Sequence, residues 1–95
     1  MEFEWDEDKR KANLDKHHID FQDAATMWST PVLDPADTRL IETERRFLAL
    51  GIIGDDEFII AVIYTLRNDV RRIISARRAR RYERTTYKNL FGRGD

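Results

Sequence analysis

The sequence predicts an α+β domain with two N-terminal helices, an antiparallel sheet of three or four strands and a C-terminal helix. Residues 6–29 carry helix caps and helical spacing, residues 39–75 hold β-branched and aromatic runs separated by polar turns, and a helical pattern returns near residue 76. With 95 residues, the chain is long enough for one domain with one core. We therefore expect residues 1–95 to form a single domain.

The N-terminal third predicts the two helices. Asp6 is a candidate cap for "EDKRKANLDKH", whose acidic first turn suits the helix dipole, and "HHID" ends this helix. Asp20 is a candidate cap for a second helix, "FQDAATMWS", in which Phe21, Ala24 and Trp28 recur at helical spacing. We expect these apolar side chains in the core. The segment "FEW" before the first helix is short and β-prone.

From Arg39 the apolar period changes to that of strands. The runs "RRFLALGII", "FIIAVIYTL" and "RRIIS" are separated by "GDDE" and "RND", which are good hairpin turns. We expect an antiparallel meander whose middle strand is covered on both faces, with a further strand near "PVLDP". From about Ala76 the pattern is helical, and one stripe of that helix would carry Arg77, Arg81, Arg84 and Lys88.

The composition excludes several classes of site. The absence of cysteine rules out a disulfide framework, a thiolate zinc site and a cysteine nucleophile. His17 and His18 are adjacent and point apart, and the chain has no recognised metal-ligand spacing or glycine-rich phosphate loop. We therefore expect no metal and no cofactor. The apolar runs are too short to span a bilayer, and the acidic start is unlike a signal peptide, so we expect a soluble cytoplasmic protein with no membrane partner.

The formal net charge of −1 hides a strong asymmetry along the chain. Residues 1–64 hold 15 acidic and 7 basic side chains, whereas residues 65–95 hold 3 acidic and 10 basic ones. The two parts therefore carry −8 and +7. This asymmetry indicates a polyanionic partner for the basic part. An alternative is that the two halves attract each other within the fold.

The polar residues that remain suit the cleavage of RNA without a metal. A general base activates the 2′-hydroxyl, cationic side chains hold the phosphate, and an acid protonates the leaving oxygen. Arginine fits the middle role because its planar fork meets phosphate oxygens bidentately. The same basic C-terminal face is also typical of a non-catalytic module that binds nucleic acid or a protein partner. A purely structural partner of a repressor is a third possibility.

Several spaced segments resemble the BrnT family of bacterial type II toxins. They are "FEWDEDKRKANLDKHHIDFQDA", "DP", "ERRFLALG" and "VIYTLRNDVRRIISARRARRYERTTY", and together they span nearly the whole chain. The resemblance implies a RelE-like α+β fold, endoribonuclease activity that inhibits translation, and neutralisation by a ribbon-helix-helix antitoxin, BrnA. Promoter DNA would be bound only through the antitoxin complex. His18 and Asn68 stand where the family usually has glycine.

The resemblance also implies roles for named residues. The candidate catalytic residues are His17, Glu44, Arg67 and Arg77, and the candidate substrate-binding residues are Tyr64, Arg78, Arg81 and Arg84. We expect Arg67 and Arg77 at strand ends on an open face of the sheet, close enough to hold one phosphate. Glu83 would orient a neighbouring arginine.

Each role has a structural alternative. The arginines could form ion pairs with the acidic half of the chain. Glu44, the candidate base, could be a solvated charge, and His17, a candidate acid or base, could cap its helix. Tyr64 could stack on a nucleobase or belong to the core.

Overall fold

One five-stranded mixed sheet organises the chain. The computed structural model describes residues 2–95. The elements are β1 Phe3–Glu4, α1 Glu7–His17, α2 Phe21–Ala25, a 3-10 turn Thr26–Ser29, β2 Leu33–Ile41, β3 Glu44–Ile53, β4 Phe58–Arg67, β5 Val70–Arg78 and α3 Arg81–Phe91. The strand order is β1-β5-β4-β3-β2, in which β1 runs parallel to β5 and the other neighbours are antiparallel. None of the helices within residues 2–95 is long and apolar enough to span a membrane.

The helix boundaries follow from local capping. The side chain of Asp6 accepts a hydrogen bond from the Asp8 amide (2.9 Å) at the start of α1. The helix ends at His18, which adopts a left-handed conformation (φ 60°) and donates its N–H to the Leu14 carbonyl. The predicted α1 is thereby confirmed. Asp20 caps α2, as predicted, but the single helix predicted over residues 21–29 changes to 3-10 geometry at Thr26.

The hairpin turns are built from residues with positive φ. Asn68 (φ 52°) and Asp69 (φ 65°) form the two-residue connection between β4 and β5, a geometry that matches the twist of antiparallel strands. Asn68 therefore takes the left-handed conformation that glycine usually supplies. Gly54 (φ 74°) and Glu57 (φ 54°) bracket the turn between β3 and β4. The predicted meander is confirmed by these two turns.

The sheet differs from the prediction in the number of its strands, in the direction of one edge strand and in the residue at which its last strand ends. It has five strands and a parallel edge pair, where three or four antiparallel strands were expected. The parallel pair is formed by Phe3 and Glu4 with Arg71 and Arg72, which lie nearly 70 residues away in the chain. A strand of two residues is too short to show the alternation of apolar and polar residues that identifies a strand in a sequence. The helical pattern expected from Ala76 is also wrong. β5 continues to residue 78 because that segment pairs with β4, and α3 begins only at residue 81.

The alternation of β4 separates two apolar cores. Ile60 and Val62 pack with Phe21 and Met27 from the N-terminal helical segment on one face of the sheet. On the other face, Ala61 packs with a second cluster that includes the fully buried Tyr87 of α3. The Tyr87 hydroxyl also donates to the Pro31 carbonyl (2.6 Å), which fixes α3 against the entry to β2.

α3 covers only one end of this second face. The uncovered remainder is called the open face below, and it is marked by Arg46 and Leu48 of β3, Ile63 of β4 and Arg77 of β5. Leu48 and Ile63 pair across β3 and β4 and are only partly buried.

A buried amide joins α1 to β5. Asn13 is 7% exposed, and its Nδ2 donates to the carbonyls of Ile19 (3.0 Å) and Ala76 (2.9 Å). Its Oδ1 accepts from the Ala76 amide (3.1 Å). The side chain thus satisfies both backbone groups of one strand residue, which a buried strand edge requires.

A second buried polar cluster lies at the other end of the helix-covered face. The Asp34 carboxylate accepts hydrogen bonds from Trp28 Nε1 (2.9 Å), Arg71 Nη2 (2.9 Å) and the Tyr64 hydroxyl. The Arg71 guanidinium lies 4.8 Å from the Trp28 ring centroid and 5.8 Å from that of Phe3. An ion pair enclosed by aromatic rings therefore fastens the start of β2 to β5.

Candidate active site

A groove on the open face gathers arginines from several elements. It has a volume of about 370 Å³ and lies between the β2–β3 pair and the first turns of α3. Arg39 comes from β2, Arg46 from β3, Arg77 from β5, and Arg80 precedes α3. Two carboxylates, Asp37 and Glu83, also line the concavity, so its charged side chains sum to a net positive charge that suits an anionic ligand.

Arg77 is held at the floor of this groove by Glu83. Its Nη1 and Nη2 donate to the two carboxylate oxygens of Glu83, at 2.8 and 3.1 Å. Glu83 is 4% exposed and also accepts from the Arg80 amide (2.7 Å). Burial opposes ionisation of Glu83, but the bonds from Arg77 and from the Arg80 amide outweigh it and lower the pKa of the carboxyl. The expectation that Glu83 orients an arginine agrees with this geometry.

A second charged cluster lies at the opposite end of the sheet. Glu44, at the start of β3, lies 3.4 Å from Arg46 Nε and 3.7 Å from Arg67 Nη2. Its side chain is 35% exposed, so both the carboxylate and its cationic neighbours are accessible to a ligand. Arg46 belongs to this cluster and also lines the groove. It therefore connects the two ends of the open face.

Arg67 and Arg77 do not lie together, contrary to expectation. Arg67 pairs with Val70 at the β4–β5 turn, whereas Arg77 pairs with Ala61 near the other end of β4. Six residues of strand separate the two positions, which corresponds to about 20 Å. The antiparallel register places the ends of β4 and β5 at opposite edges, so these two arginines cannot hold one phosphate.

Tyr64 lies in the core and not on the open face. It is 4% exposed, stacks on Phe47 with ring centroids 5.4 Å apart, and donates its hydroxyl to Asp34. Burial, followed by the hydrogen bond to Asp34, raises the pKa of Tyr64 to about 12. The role of base stacking expected for Tyr64 does not fit this position, because the ring faces the N-terminal helices.

The other expected substrate-binding arginines also point away from the groove. Arg78 follows Arg77 in β5 and therefore faces the opposite side of the sheet, where its guanidinium lies 3.7 Å from the Phe58 ring centroid. Arg84 Nη1 donates to the Ala79 carbonyl (2.5 Å), and Arg81 is exposed outside the groove. The helical stripe predicted for Arg77 and Arg81 fails because Arg77 is a strand residue.

His17 is the last residue of α1 and does not line the groove. Partial burial is the main cause of its lowered pKa, and the positive charges of Lys16, Arg77 and His18 add to the effect. These effects favour the neutral form of the imidazole. The alternative of a helix cap does not apply to His17, because the C-terminal cap of α1 is His18.

Four groove residues were missed in the sequence: Arg39, Arg46, Arg80 and Tyr82. The signal for Arg46 was present, because in "ERRFLALG" the alternation of a strand puts Glu44, Arg46 and Leu48 on one face. Tyr82 is 65% exposed at the start of α3 and lines the groove. No sequence signal pointed to Tyr82, because its position depends on where α3 begins.

The donor set of this site is cationic. Within residues 2–95 no group of three histidine, aspartate or glutamate side chains is arranged to hold a metal ion. The groove offers four guanidinium groups and the carboxylates of Asp37 and Glu83. The Glu44 carboxylate lies next to the groove, 3.4 Å from Arg46. Such a set can bind phosphate, accept a proton and stabilise a developing negative charge.

Comparisons with known proteins identify the family of this chain. No curated protein matches the chain. A family model described as the ribonuclease toxin BrnT of type II toxin-antitoxin systems matches residues 5–83. A 1.1 Å crystal structure of the Brucella abortus ribonuclease toxin BrnT is 31% identical and superposes with a TM-score of 0.60, covering 85% of this chain and 99% of that one. The α+β fold, the arginine groove and the match over most of the chain lead to one conclusion: this protein belongs to the BrnT family of ribonuclease toxins.

Proposed function

We propose that this protein is a RelE-like endoribonuclease toxin that cleaves RNA on its open face without a metal ion and so inhibits translation in the cytoplasm. The observation that carries the proposal is the groove in which Arg39, Arg46, Arg77 and Arg80 converge, in a chain whose family is named for ribonuclease activity. Guanidinium groups of the open face supply the positive charge that a metal ion provides in other nucleases.

The proposed reaction begins at the Glu44 end of the open face. Arg46 binds the scissile phosphate, which brings the neighbouring 2′-hydroxyl within reach of the Glu44 carboxylate. Glu44 takes the hydroxyl proton, and the 2′-oxygen attacks phosphorus. The bond to the 5′-oxygen breaks, solvent protonates the leaving oxygen, and the products are a 2′,3′-cyclic phosphate and a 5′-hydroxyl.

The two ends of the open face have different parts in this proposal. Arg67, 3.7 Å from Glu44, neutralises charge on the pentacoordinate phosphate together with Arg46. The Arg77 fork is engaged by Glu83, so Arg77 shapes the groove more than it contacts phosphate. Since about 20 Å separates Arg67 from Arg77 along β4, several nucleotides of one strand can lie between them.

The partner that silences the toxin is proposed to be a BrnA-like ribbon-helix-helix antitoxin. Its neutralising segment covers the groove, and promoter DNA is bound only through the antitoxin. The positive groove favours an acidic segment of the partner. Apolar side chains must add to the contact, because surface charge pairs alone contribute little.

The experiment is RNA cleavage by the purified protein in excess chelator. We expect fragments ending in 2′,3′-cyclic phosphate, and arrest of protein synthesis when the toxin is expressed without its antitoxin. Arg46→Ala should lower the cleavage rate by about 100- to 1000-fold, the usual loss when an electrostatic stabiliser of a transition state is removed.

Arg93→Ala is the control. Arg93 follows α3, pairs with Glu57 and lies outside the groove and outside the pocket at Glu44 and Arg67. Its cleavage rate should equal that of the unaltered protein. If Arg93→Ala and Arg46→Ala lose activity equally, the open face is not the site. If the protein binds RNA but never cuts it, the non-catalytic binding module is the better interpretation.

A further inference from the structure

The groove carries one aromatic side chain that is too exposed to serve the fold. Tyr82 is 65% exposed, although it lines the groove beside Arg80 and opposite Arg39. Tyr87, five residues later in the same helix, is fully buried. α3 therefore uses Tyr87 for packing and leaves the Tyr82 ring available to a ligand.

The ring of Tyr82 is held on a rigid support. The backbone carbonyl of Tyr82 accepts a hydrogen bond from Thr86 Oγ1 (3.0 Å), one helical turn later. The first turn of α3 is fixed by Glu83, which accepts from the Arg80 amide. A planar ring presented by an anchored helix loses little conformational entropy when a ligand stacks on it.

We propose that Tyr82 is the stacking platform for one unpaired nucleobase, and hence that the substrate is single-stranded RNA. The inference rests on the proposed ribonuclease function and assigns to Tyr82 the role that the burial of Tyr64 removes. The neighbouring guanidinium groups hold the backbone, and the ring holds a base of the same strand. This combination of a basic groove with an aromatic platform is how single strands are bound without strong sequence preference.

Stacking on Tyr82 selects against duplex RNA. In an A-form helix the bases are paired and stacked on each other, so their faces are not available to a protein side chain. Only a loop, a bulge or a free strand can place a base on this ring. Tyr82 should therefore discriminate between single-stranded and double-stranded substrates more than between base sequences.

The test measures binding of a short, fluorescein-labelled single-stranded RNA carrying 2′-O-methyl groups, which block cleavage. Tyr82→Ala should weaken binding by about 5- to 100-fold, and Tyr82→Phe should bind within about twofold of the unaltered protein. Leu90→Ala is the matched control, since Leu90 is a 58% exposed residue of the same helix outside the groove. It should bind as the unaltered protein does.

Abasic probes identify the stacked base. Removing one base from the probe should weaken binding to the unaltered protein at one position of the strand. The same removal should have no further effect on Tyr82→Ala, because the two changes delete the two halves of one contact. A fully paired duplex probe should bind Tyr82→Ala and the unaltered protein equally.

Three outcomes overturn the inference: equal binding by Tyr82→Ala, a loss in Tyr82→Phe as large as that in Tyr82→Ala, or a Tyr82→Ala defect confined to antitoxin binding. The second would mean that the hydroxyl makes the contact. Urea unfolding of each variant excludes a folding defect, and Tyr82→Leu, which keeps apolar bulk, should bind as weakly as Tyr82→Ala. The proposed function fails separately, if Arg46→Ala cleaves unmodified RNA as fast as the unaltered protein does.

Discussion

Replacing Arg77 by alanine tests whether the arginine at the floor of the groove supports the fold. Both terminal nitrogens of Arg77 bind Glu83, whose carboxylate is 4% exposed and otherwise accepts only from the Arg80 amide among residues 2–95. Arg77→Ala leaves that carboxylate buried without its counter-charge. From the sequence, Arg77 was a candidate catalytic residue, with an ion pair as the structural alternative.

The magnitude follows from the burial of the pair. Breaking a buried ion pair by removing one partner costs about 3–5 kcal/mol. The Arg77 side chain keeps 16% exposure and the pair borders a groove open to water, so we expect a loss of about 2–3 kcal/mol in the free energy of unfolding. For a domain of this size, that corresponds to a fall in Tm of about 10–20 °C.

The assay is urea unfolding followed by circular dichroism, with the double variant Arg77→Met/Glu83→Leu as the control. Removing both charges and keeping the bulk should restore most of the stability, because no unpaired carboxylate remains. An Arg77→Ala protein that unfolds at the same urea concentration as the unaltered protein would refute the reasoning.

Acid pH gives an independent check on the same pair. Because its pKa is lowered in the folded state, Glu83 contributes stability above its unfolded pKa of about 4.3, and this contribution is lost as pH falls through the folded pKa. The difference in stability between Arg77→Ala and the unaltered protein should therefore be largest near neutral pH. It should shrink below about pH 4.

Three further predictions concern other parts of the molecule. Asn13→Asp should lower the free energy of unfolding by about 3 kcal/mol or more in the same urea assay, because a carboxylate would face the carbonyls of Ile19 and Ala76. Arg93→Ala should change it by less than about 1 kcal/mol, since the pair with Glu57 is solvent-accessible. Antitoxin binding, measured by calorimetry, should weaken as salt rises; equal affinity at low and high salt would contradict an acidic segment in the groove.

The sequence predicted the elements whose signals are local. The caps at Asp6 and Asp20, the turn residues around Asn68 and the β-branched runs each act over a few residues, and each element they mark is present in the structure. The segment that contains β1 was recognised as β-prone, but its parallel pairing with Arg71 and Arg72 was not predicted, because that pairing depends on the whole chain being folded.

The candidate site was predicted less well for the same physical reason. Residue type pointed to arginine chemistry, but the register of β4 against β5 decides which arginines share a face and an end. Arg77 and Arg78 are adjacent in β5, so a change of one residue in the register would exchange which guanidinium lies in the groove and which lies on the opposite side of the sheet. Placing Glu44 with Arg46 required only the alternation of one strand, and that inference was available from sequence.

The charge asymmetry of the chain serves both the fold and the groove. Four ion pairs join the basic C-terminal part to the acidic N-terminal part: Arg71–Asp34, Arg72–Glu4, Arg67–Glu44 and Arg93–Glu57. The two halves therefore attract each other within the fold, as one interpretation of the sequence held. The groove takes two of its arginines, Arg39 and Arg46, from the acidic part. Its positive potential is thus set by which arginines the sheet brings together, and not by the local excess of charge in the sequence.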